Sequence, residues 1–119
     1  MIVAITAQGD SPDAMMDSRF GRASYFLLHD TNSGEYEVLS NTQNLHSVQG
    51  AGIQAASTVV NAGCDALITG HCGPKAFTAL KKAGVEVYAG CSGKIAEIIE
   101  KFKNGSLQKS TQADVEGHW

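Results

Sequence analysis

The sequence predicts an α/β fold built on a mixed sheet of five strands, with an N-terminal hairpin and three helices. Two features of the chain lead to this prediction. Between residues 51 and 103, helix-like segments alternate with short apolar runs, a pattern typical of parallel strands joined by helical crossovers. Before them, two strand-like runs flank the turn DTNSGE at 30–35, which indicates an antiparallel hairpin. With 119 residues, the chain is long enough for one domain around one core.

Each element is predicted from its local pattern. Apolar runs bounded by glycine, proline or polar residues predict strands at 2–6, 24–29, 36–39, 66–69 and 85–88. Apolar residues three and four positions apart predict helices at 51–62, 74–83 and 92–103. Pro74 fits a first helical turn, and Gly63 and Gly84 fit helix ends. The segments 7–23 and 41–50 are predicted loops, and we expect a domain at 1–107 followed by a loosely ordered tail at 108–119.

The composition argues against several classes of protein. A net charge of −3 argues against a general nucleic-acid binder, which usually carries a basic excess. There is no run of about 18 apolar residues, and the start MIVAIT lacks the basic residues of a signal peptide. We therefore expect a cytoplasmic protein without a membrane or nucleic-acid partner. We also expect a monomer. The odd number of cysteines, Cys64, Cys72 and Cys91, argues against a disulfide framework. The absence of a CxxC pair and of zinc-finger spacing argues against a closed zinc site.

Three loops are expected to share one edge of the sheet. In open α/β sheets, ligands bind beyond the carboxyl ends of the parallel strands. The loops that leave the first, fourth and fifth predicted strands lie at 7–9, 70–73 and 89–93. If these strands are parallel neighbours, the loops form one rim, and Cys72 and Cys91 face the same crevice. The loops are rich in glycine, which lets a ligand approach the backbone.

The rim also carries the features of an anion site. The second and third helices would point free N–H groups and positive dipole ends at it, with Lys75 and Lys94 in their first turns. The long loop adds DSRFGRA at 17–23, in which Arg19 and Arg22 flank an aromatic residue and a glycine. Two arginines at a rim rich in backbone N–H donors raise the positive potential there, although the net charge of the protein is negative.

Several of these residues also have purely structural interpretations. Cys64 follows a helix-ending glycine and is expected to pack in the core. Arg19 could pair with Asp17 as a tether, and His71 could hydrogen-bond its own loop. The adjacent methionines, Met15 and Met16, are expected to cover an edge of the core.

Motifs along most of the chain resemble one known family. The stretches SRFGRASYFLLHD, GIQAASTVVNAGCDALITGHCGPKAFTALKKAGVEVYAG and IAEIIEKFKNGSL together resemble the dinitrogenase iron–molybdenum cofactor biosynthesis family, over residues 1–107. That family includes NifX-type cofactor carriers and the C-terminal domain of NifB. The resemblance implies a ribonuclease-H-like, three-layer α/β fold. It also implies a non-catalytic protein that binds or carries an anionic metal–sulfur cluster.

The resemblance further implies a cargo and its surroundings. The expected cargo is a molybdenum–copper–sulfide cluster, or alternatively an iron–molybdenum–sulfur cofactor precursor. The sulfides of such a cluster already coordinate its metals. Partner proteins are expected in cofactor assembly or in a complex linked to cell division. His71 and Cys72 are the candidates for direct metal ligation, since copper(I) favours thiolate, and Phe20 is expected to form an apolar wall. The residues expected around the cluster are Arg19, Phe20, Gly21, Arg22, Gly70, His71, Cys72, Gly73, Lys75, Gly90, Cys91, Ser92 and Lys94.

Two other functions compete with this hypothesis. The first is a metal-free regulatory module that binds a small anion or a partner protein. The second is an enzyme, which the sequence disfavours. A ribonuclease-H-like nuclease needs several clustered carboxylates, whereas only Asp10 and Asp65 lie near expected strand ends. A Cys72 nucleophile with His71 as its base is poorly placed, because adjacent residues on an extended loop point apart.

Overall fold

The computed structural model describes residues 1–41 and 51–110. Its strands are β1 (Ile2–Ala7), β2 (Tyr25–Asp30), β3 (Tyr36–Ser40), β4 (Ala66–Ile68) and β5 (Glu86–Tyr88). Its helices are α1 (Ala51–Asn61), α2 (Pro74–Lys82) and α3 (Ile95–Lys103). The predicted loop beyond Asn41, with His46, and the predicted tail beyond Ser110 lie outside the described residues. None of the helices in the described ranges is both long and apolar enough to cross a membrane.

The five strands form one mixed sheet in the order β3-β2-β1-β4-β5. β1 pairs in parallel with β4, and β4 pairs in parallel with β5. β2 runs antiparallel to both β1 and β3, which confirms the predicted hairpin. The register places Ile5 opposite Ile68 and Ile68 opposite Tyr88, so the parallel strands end at a common edge. The loops that follow β1, β4 and β5 therefore share one rim, as predicted.

Two apolar clusters place helices on both faces of this sheet. On one face, side chains of α1 and α2 pack with alternate strand residues such as Ala4 and Leu67. On the other face, α3 packs on the intervening strand residues, including Ile5 and Ile68. Burying a side chain such as Ile95, which is 0% exposed, contributes about 1.5–3 kcal/mol. The result is the expected three-layer fold of the ribonuclease-H-like class.

The loop between β1 and β2 lies across the rim and is held there by backbone hydrogen bonds. The Asp17 amide donates to the Thr6 carbonyl at 2.9 Å, and the Met16 amide donates to the Gly93 carbonyl at 2.8 Å. The His71 amide donates to the Ser18 carbonyl at 2.7 Å. A single loop thus joins the ends of β1, β4 and β5, and we call it the rim loop (residues 8–24).

The third helix begins later than the sequence pattern predicts. It starts at Ile95 rather than residue 92, because Lys94 is extended, with φ −75° and ψ 138°, and forms an antiparallel bridge with Met15 of the rim loop. Gly93 just before it has φ +120°, a conformation that L side chains rarely adopt. Pairing with a distant segment therefore overrides the local helical pattern of 92–94.

Gly70 allows the rim loop to approach the sheet. A Cβ atom at this position would lie 2.7 Å from both the Cα and the carbonyl oxygen of Ser18. Those atoms belong to the backbone, so they can move only if the loop moves. Glycine at position 70 is therefore required by the close contact of two backbones.

His29 is a buried polar side chain on β2. His29 is 6% exposed, and its Nε2 atom has no hydrogen-bond partner among the described residues. Burial lowers the pKa of this imidazole and Lys103 lowers it further, whereas Asp30 and Glu100 act in the opposite direction. The neutral form is thus favoured in the folded protein.

Gly70→Ala should destabilise the fold by about 1–3 kcal/mol, the usual cost of overpacking. Urea unfolding followed by circular dichroism would measure the loss. Ser18→Gly in the same chain should not restore stability, because the clash involves the Ser18 backbone as well as its side chain. An unchanged midpoint in Gly70→Ala would contradict the described contact between loop and sheet.

Stability should fall as the pH drops below 6.5, the ordinary pKa of histidine. In that range the unfolded chain binds a proton at position 29 that the folded protein resists, so protonation favours unfolding. The free energy of unfolding, measured at a series of pH values, should depend less on pH in His29→Leu. Lys103→Met should weaken the dependence by a smaller amount, because Lys103 is only the second cause of the lowered pKa. Equal pH dependence in all three proteins would refute this account.

Candidate functional site

Arg19 and His71 lie next to each other at the rim. They form a parallel β-bridge, and this bridge is flanked by the hydrogen bond from the Phe20 amide to the His71 carbonyl at 3.3 Å. Paired residues of neighbouring strands present their side chains on the same face, and both residues are exposed. The fold therefore places a guanidinium beside an imidazole, although the two residues are 52 positions apart in the sequence.

Asp17 holds Arg19 in position from below. It is 5% exposed, and its Oδ1 atom accepts a hydrogen bond from the Arg19 amide at 2.9 Å and a longer one from Arg19 Nε at 3.4 Å. This confirms the tether predicted from the sequence. The Arg19 side chain is still 51% exposed, and among the described residues only Asp17 hydrogen-bonds it. The terminal nitrogens of its guanidinium are thus available to a ligand at the surface.

Two buried threonines anchor Asp17. The Thr6 hydroxyl donates to the Asp17 carbonyl at 2.6 Å, and the hydroxyl oxygens of Thr6 and Thr69 are 3.0 Å apart. Because a hydroxyl has one proton, Thr69 donates to Thr6 in this arrangement. Both threonines are 0% exposed, and they stand at the carboxyl ends of β1 and β4. This network joins the rim loop to two strands beneath the surface.

A second pair of exposed side chains comes from the Met15–Lys94 bridge. Met16 is buried, as the sequence predicted for both methionines, but Met15 is 49% exposed. The alternation arises because this part of the rim loop is extended, so that successive side chains point to opposite sides. The rim thus presents a soft thioether beside an ammonium group, and the sequence analysis missed this role of Met15. No local signal indicated it, because Met15 and Met16 are the same residue type and the exposure of Met15 depends on its pairing with Lys94.

An N-terminus open to an anion was predicted for both α2 and α3, and only α2 has one. In α3, the amides of Ile95 and Ala96 donate to the carbonyls of Ala14 and Pro12, each at 3.0 Å. The expectation of free N–H groups at the start of this helix was wrong, because the rim loop covers it. α2 begins at Pro74 after the extended residue Gly73, with no side-chain cap in the described structure. Of the two helices, α2 is therefore the one whose N-terminus an anion could approach.

Cys72 and Cys91 do not face the same crevice. Cys72 is 1% exposed and belongs to the core cluster beneath α1 and α2. Cys91 is half-buried and packs against the cluster beneath α3. Their loops leave neighbouring strands at the same edge, but α2 and α3 then pass to opposite faces of the sheet. The predicted shared crevice for the two thiols was wrong for this reason.

The thiols are shielded as well as separated. Burial raises the pKa of Cys64 to about 11. Burial also raises the pKa of Cys91, with Lys101 acting in the opposite direction. The Cys91 Sγ atom lies 3.8 Å from the Ala89 carbonyl, and the Cys72 Sγ atom lies 3.8 Å from the Gly73 carbonyl. Both thiols thus contact neighbouring backbone carbonyls.

The remaining predicted site residues range from the core to the surface. Phe20 is 1% exposed and its ring centroid lies 5.8 Å from that of Phe26, so it belongs to the core and forms no wall at the surface. Gly21 is buried, Arg22 is half-buried and Ser92 is exposed. The Gly90 amide donates to the Gly70 carbonyl at 2.8 Å and thereby joins the β4 and β5 loops.

Lys75 lies beside the rim rather than within it. It borders a shallow groove along the outer side of α2, together with Thr78 and Lys82. Its charge still lies in the first turn of α2, four residues after His71. Lys75 therefore adds to the positive potential near the rim without forming a bridge to the rim loop.

The carboxylates needed for a nuclease do not come together. Asp65 accepts a hydrogen bond from the Ile2 amide at 2.8 Å, at the end of the sheet opposite the rim. Asp10 is exposed on the rim loop. Within residues 1–41 and 51–110, no three His, Cys, Asp or Glu residues lie close enough together to hold one metal ion. Direct ligation of a metal by a set of these side chains thus has no basis in the described part of the chain.

Comparison with known proteins points to a single family. The family described as "Dinitrogenase iron-molybdenum cofactor" matches residues 1–105. An uncharacterized protein of Methanocaldococcus jannaschii is 33% identical over 97 residues, which cover 79% of this chain and 81% of that protein.

Two solved structures share both fold and sequence with this chain. The apo form of the orange protein from Desulfovibrio gigas has a TM-score of 0.93 and 33% identity, and the match covers 96% of each chain. A NifB-like protein from Thermotoga has a TM-score of 0.83 and 37% identity, with 98% of each chain covered. On the evidence of its fold, its rim and these matches, the chain belongs to the dinitrogenase iron-molybdenum cofactor family.

Proposed function

We propose that this protein is a non-catalytic carrier that holds an anionic metal–sulfur cluster at the rim, largely by non-covalent contacts. Its family indicates a role in binding a metal cluster or a related cofactor. The observation that carries the proposal is the exposed pair of Arg19 and His71, fixed side by side by a backbone bridge. A site held in position before its ligand arrives spends little binding energy on ordering itself.

The chemistry of the rim suits a soft anion. Arg19 offers charge-assisted hydrogen bonds, which are about twice as strong as neutral ones, and the exposed imidazole of His71 lies beside it. Met15 offers a polarizable, apolar surface beside the charge of Lys94. Sulfide atoms that already bind the metals of a cluster need such outer contacts rather than thiolate ligands from the protein. The residues present thus fit a cluster that arrives complete.

The proposal also concerns which cluster is bound and which residue contacts it. The resemblance described above supports a molybdenum–copper–sulfide cluster, with an iron–molybdenum–sulfur precursor as the alternative. Of the two candidate ligands, His71 is exposed and Cys72 is buried, so we propose His71 as the one that contacts the bound cluster. Cys72 would reach a metal only after the loop that carries it had opened.

Arg19→Gln should weaken cluster binding about tenfold or more, the usual worth of a hydrogen bond to a charged group. The measurement is an anaerobic titration of the apoprotein with tetrathiomolybdate and copper(I), followed by absorption spectroscopy. Lys82→Gln is the matched control, because it removes one positive charge at the far end of α2 and should leave affinity unchanged.

His71→Gln, in the same titration, tests the second member of the pair and should also weaken binding. Equal affinity in all four proteins would refute the proposed site. If native protein took up phosphate or sulfate but not the thiomolybdate, the metal-free anion module would replace the carrier.

The three thiols should react slowly with Ellman's reagent at pH 7. Burial raises the pKa of Cys91 and brings that of Cys64 to about 11, and a thiol reacts as the thiolate. Cys91 should react first because it is half-buried, whereas Cys64 and Cys72 should react only when the protein unfolds. A thiol that reacted rapidly in the folded protein would instead support a cysteine nucleophile at the rim. Cys91→Ser identifies which thiol is responsible.

A further inference from the structure

A second concave surface lies at the end of the sheet opposite the rim. This hairpin cavity has a volume of about 310 Å³, and its apolar floor is formed by Ile2, Leu28 and Ala62. Ile2 begins β1 and the rim loop follows the end of β1, six residues along, which separates the two by about 20 Å at ~3.3 Å per residue. A molecule in the hairpin cavity would therefore leave the rim accessible.

The edge of the hairpin cavity is acidic. It is formed in part by Asp30, Glu35 and Glu37. The amides of Asn32 and Ser33 donate to Asp30 Oδ1 at 2.8 and 3.4 Å. Hydrogen bonding from these amides, the first from Asn32, lowers the pKa of this carboxyl, so it is charged at neutral pH.

Among the described residues, these three carboxylates have no lysine or arginine as an ion-pair partner. The ion pairs within residues 1–41 and 51–110 join Arg19 to Asp17 and Lys81 to Glu86. The N-terminal ammonium group acts on Asp30 from a distance. The negative charges of Glu35 and Glu37 therefore suit a cationic ligand.

The ring of Tyr36 does not face the hairpin cavity, although the residue borders it. Tyr36 pairs with His29, whereas Glu37 pairs with Leu28. Paired residues present their side chains on the same face of a sheet, so the Tyr36 ring lies on the face opposite Leu28 and Glu37. The cavity therefore combines an apolar floor with carboxylates at its edge.

We propose that the hairpin cavity receives an arginine side chain from a basic segment of a partner protein. The aliphatic stem of an arginine would cover the floor formed by Ile2 and Leu28, as long basic side chains commonly do. Its guanidinium would bind the carboxylates through two parallel hydrogen bonds, a geometry that the single ammonium group of a lysine does not offer. A bare metal ion would leave the apolar floor unused. This inference is independent of the cargo at the rim.

The first test uses a short, blocked peptide of glycine and serine with one central arginine. In an ¹⁵N-labelled NMR titration, its addition should shift the amide signals of Ile2, Leu28 and Tyr36 and leave those of the rim loop unchanged. The matched peptide with citrulline, which has the same shape but no charge, should produce no shifts. A lysine peptide that bound more tightly than the arginine peptide would overturn the choice of arginine.

Variants of the protein complete the test. Glu35→Gln combined with Glu37→Gln should weaken binding of the arginine peptide about fivefold, as expected for two partly exposed ion pairs. Glu97→Gln combined with Glu100→Gln makes the same change of charge on α3 and should have no effect. Equal weakening by both pairs, or no shifts with the arginine peptide up to about 10 mM, would overturn the proposal.

Discussion

The contact between the backbone of Ser18 and the bare Cα of Gly70 is the constraint on which the rim depends. With no side chain at position 70, the rim loop can lie directly on the loop that follows β4 and exchange backbone hydrogen bonds with it. That contact sets the register in which Arg19 stands beside His71. Met15 of the same loop pairs with Lys94, and the carbonyls of Pro12 and Ala14 cover the start of α3. The close approach of Ser18 to Gly70 thus determines which side chains are exposed at the rim. It also brings the rim loop over the N-terminus of α3.

Ordering a long loop costs conformational entropy, about 1–2 kcal/mol for each residue's backbone. The protein offsets this cost with buried polar contacts rather than with regular secondary structure. Thr6, Thr69 and Asp17 are all nearly or fully buried and bonded to one another or to the loop. Since an unsatisfied buried polar group is costly, the loop has few alternative positions. The rim loop is therefore held in one arrangement before any ligand binds.

The fold could be predicted almost completely from the sequence, because apolar periodicity and turn residues are local signals. The common rim followed from the alternation of strand and helix, on the condition that the three parallel strands are neighbours, whereas the order of strands in the sheet came from the structure. It was harder to predict which side chains lie exposed at the rim. Cys72 and Cys91 were expected together, but the side of the sheet on which each lies depends on where α2 and α3 pack. Phe20 stands between two arginines in the sequence, and only its contact with Phe26 reveals that it belongs to the core. The late start of α3 depends on a partner about 80 residues away, which a local pattern does not contain.

The central claim is that the rim carries a metal–sulfur cluster, and it is tested most directly on protein purified without oxygen from its own host. Metal analysis and an absorption spectrum of that protein are the measurements required. The account predicts molybdenum in stoichiometric amount with sulfide-to-metal charge-transfer bands, and copper or iron would identify the type of cluster. A colourless, metal-free protein that also failed to take up tetrathiomolybdate with copper would contradict it.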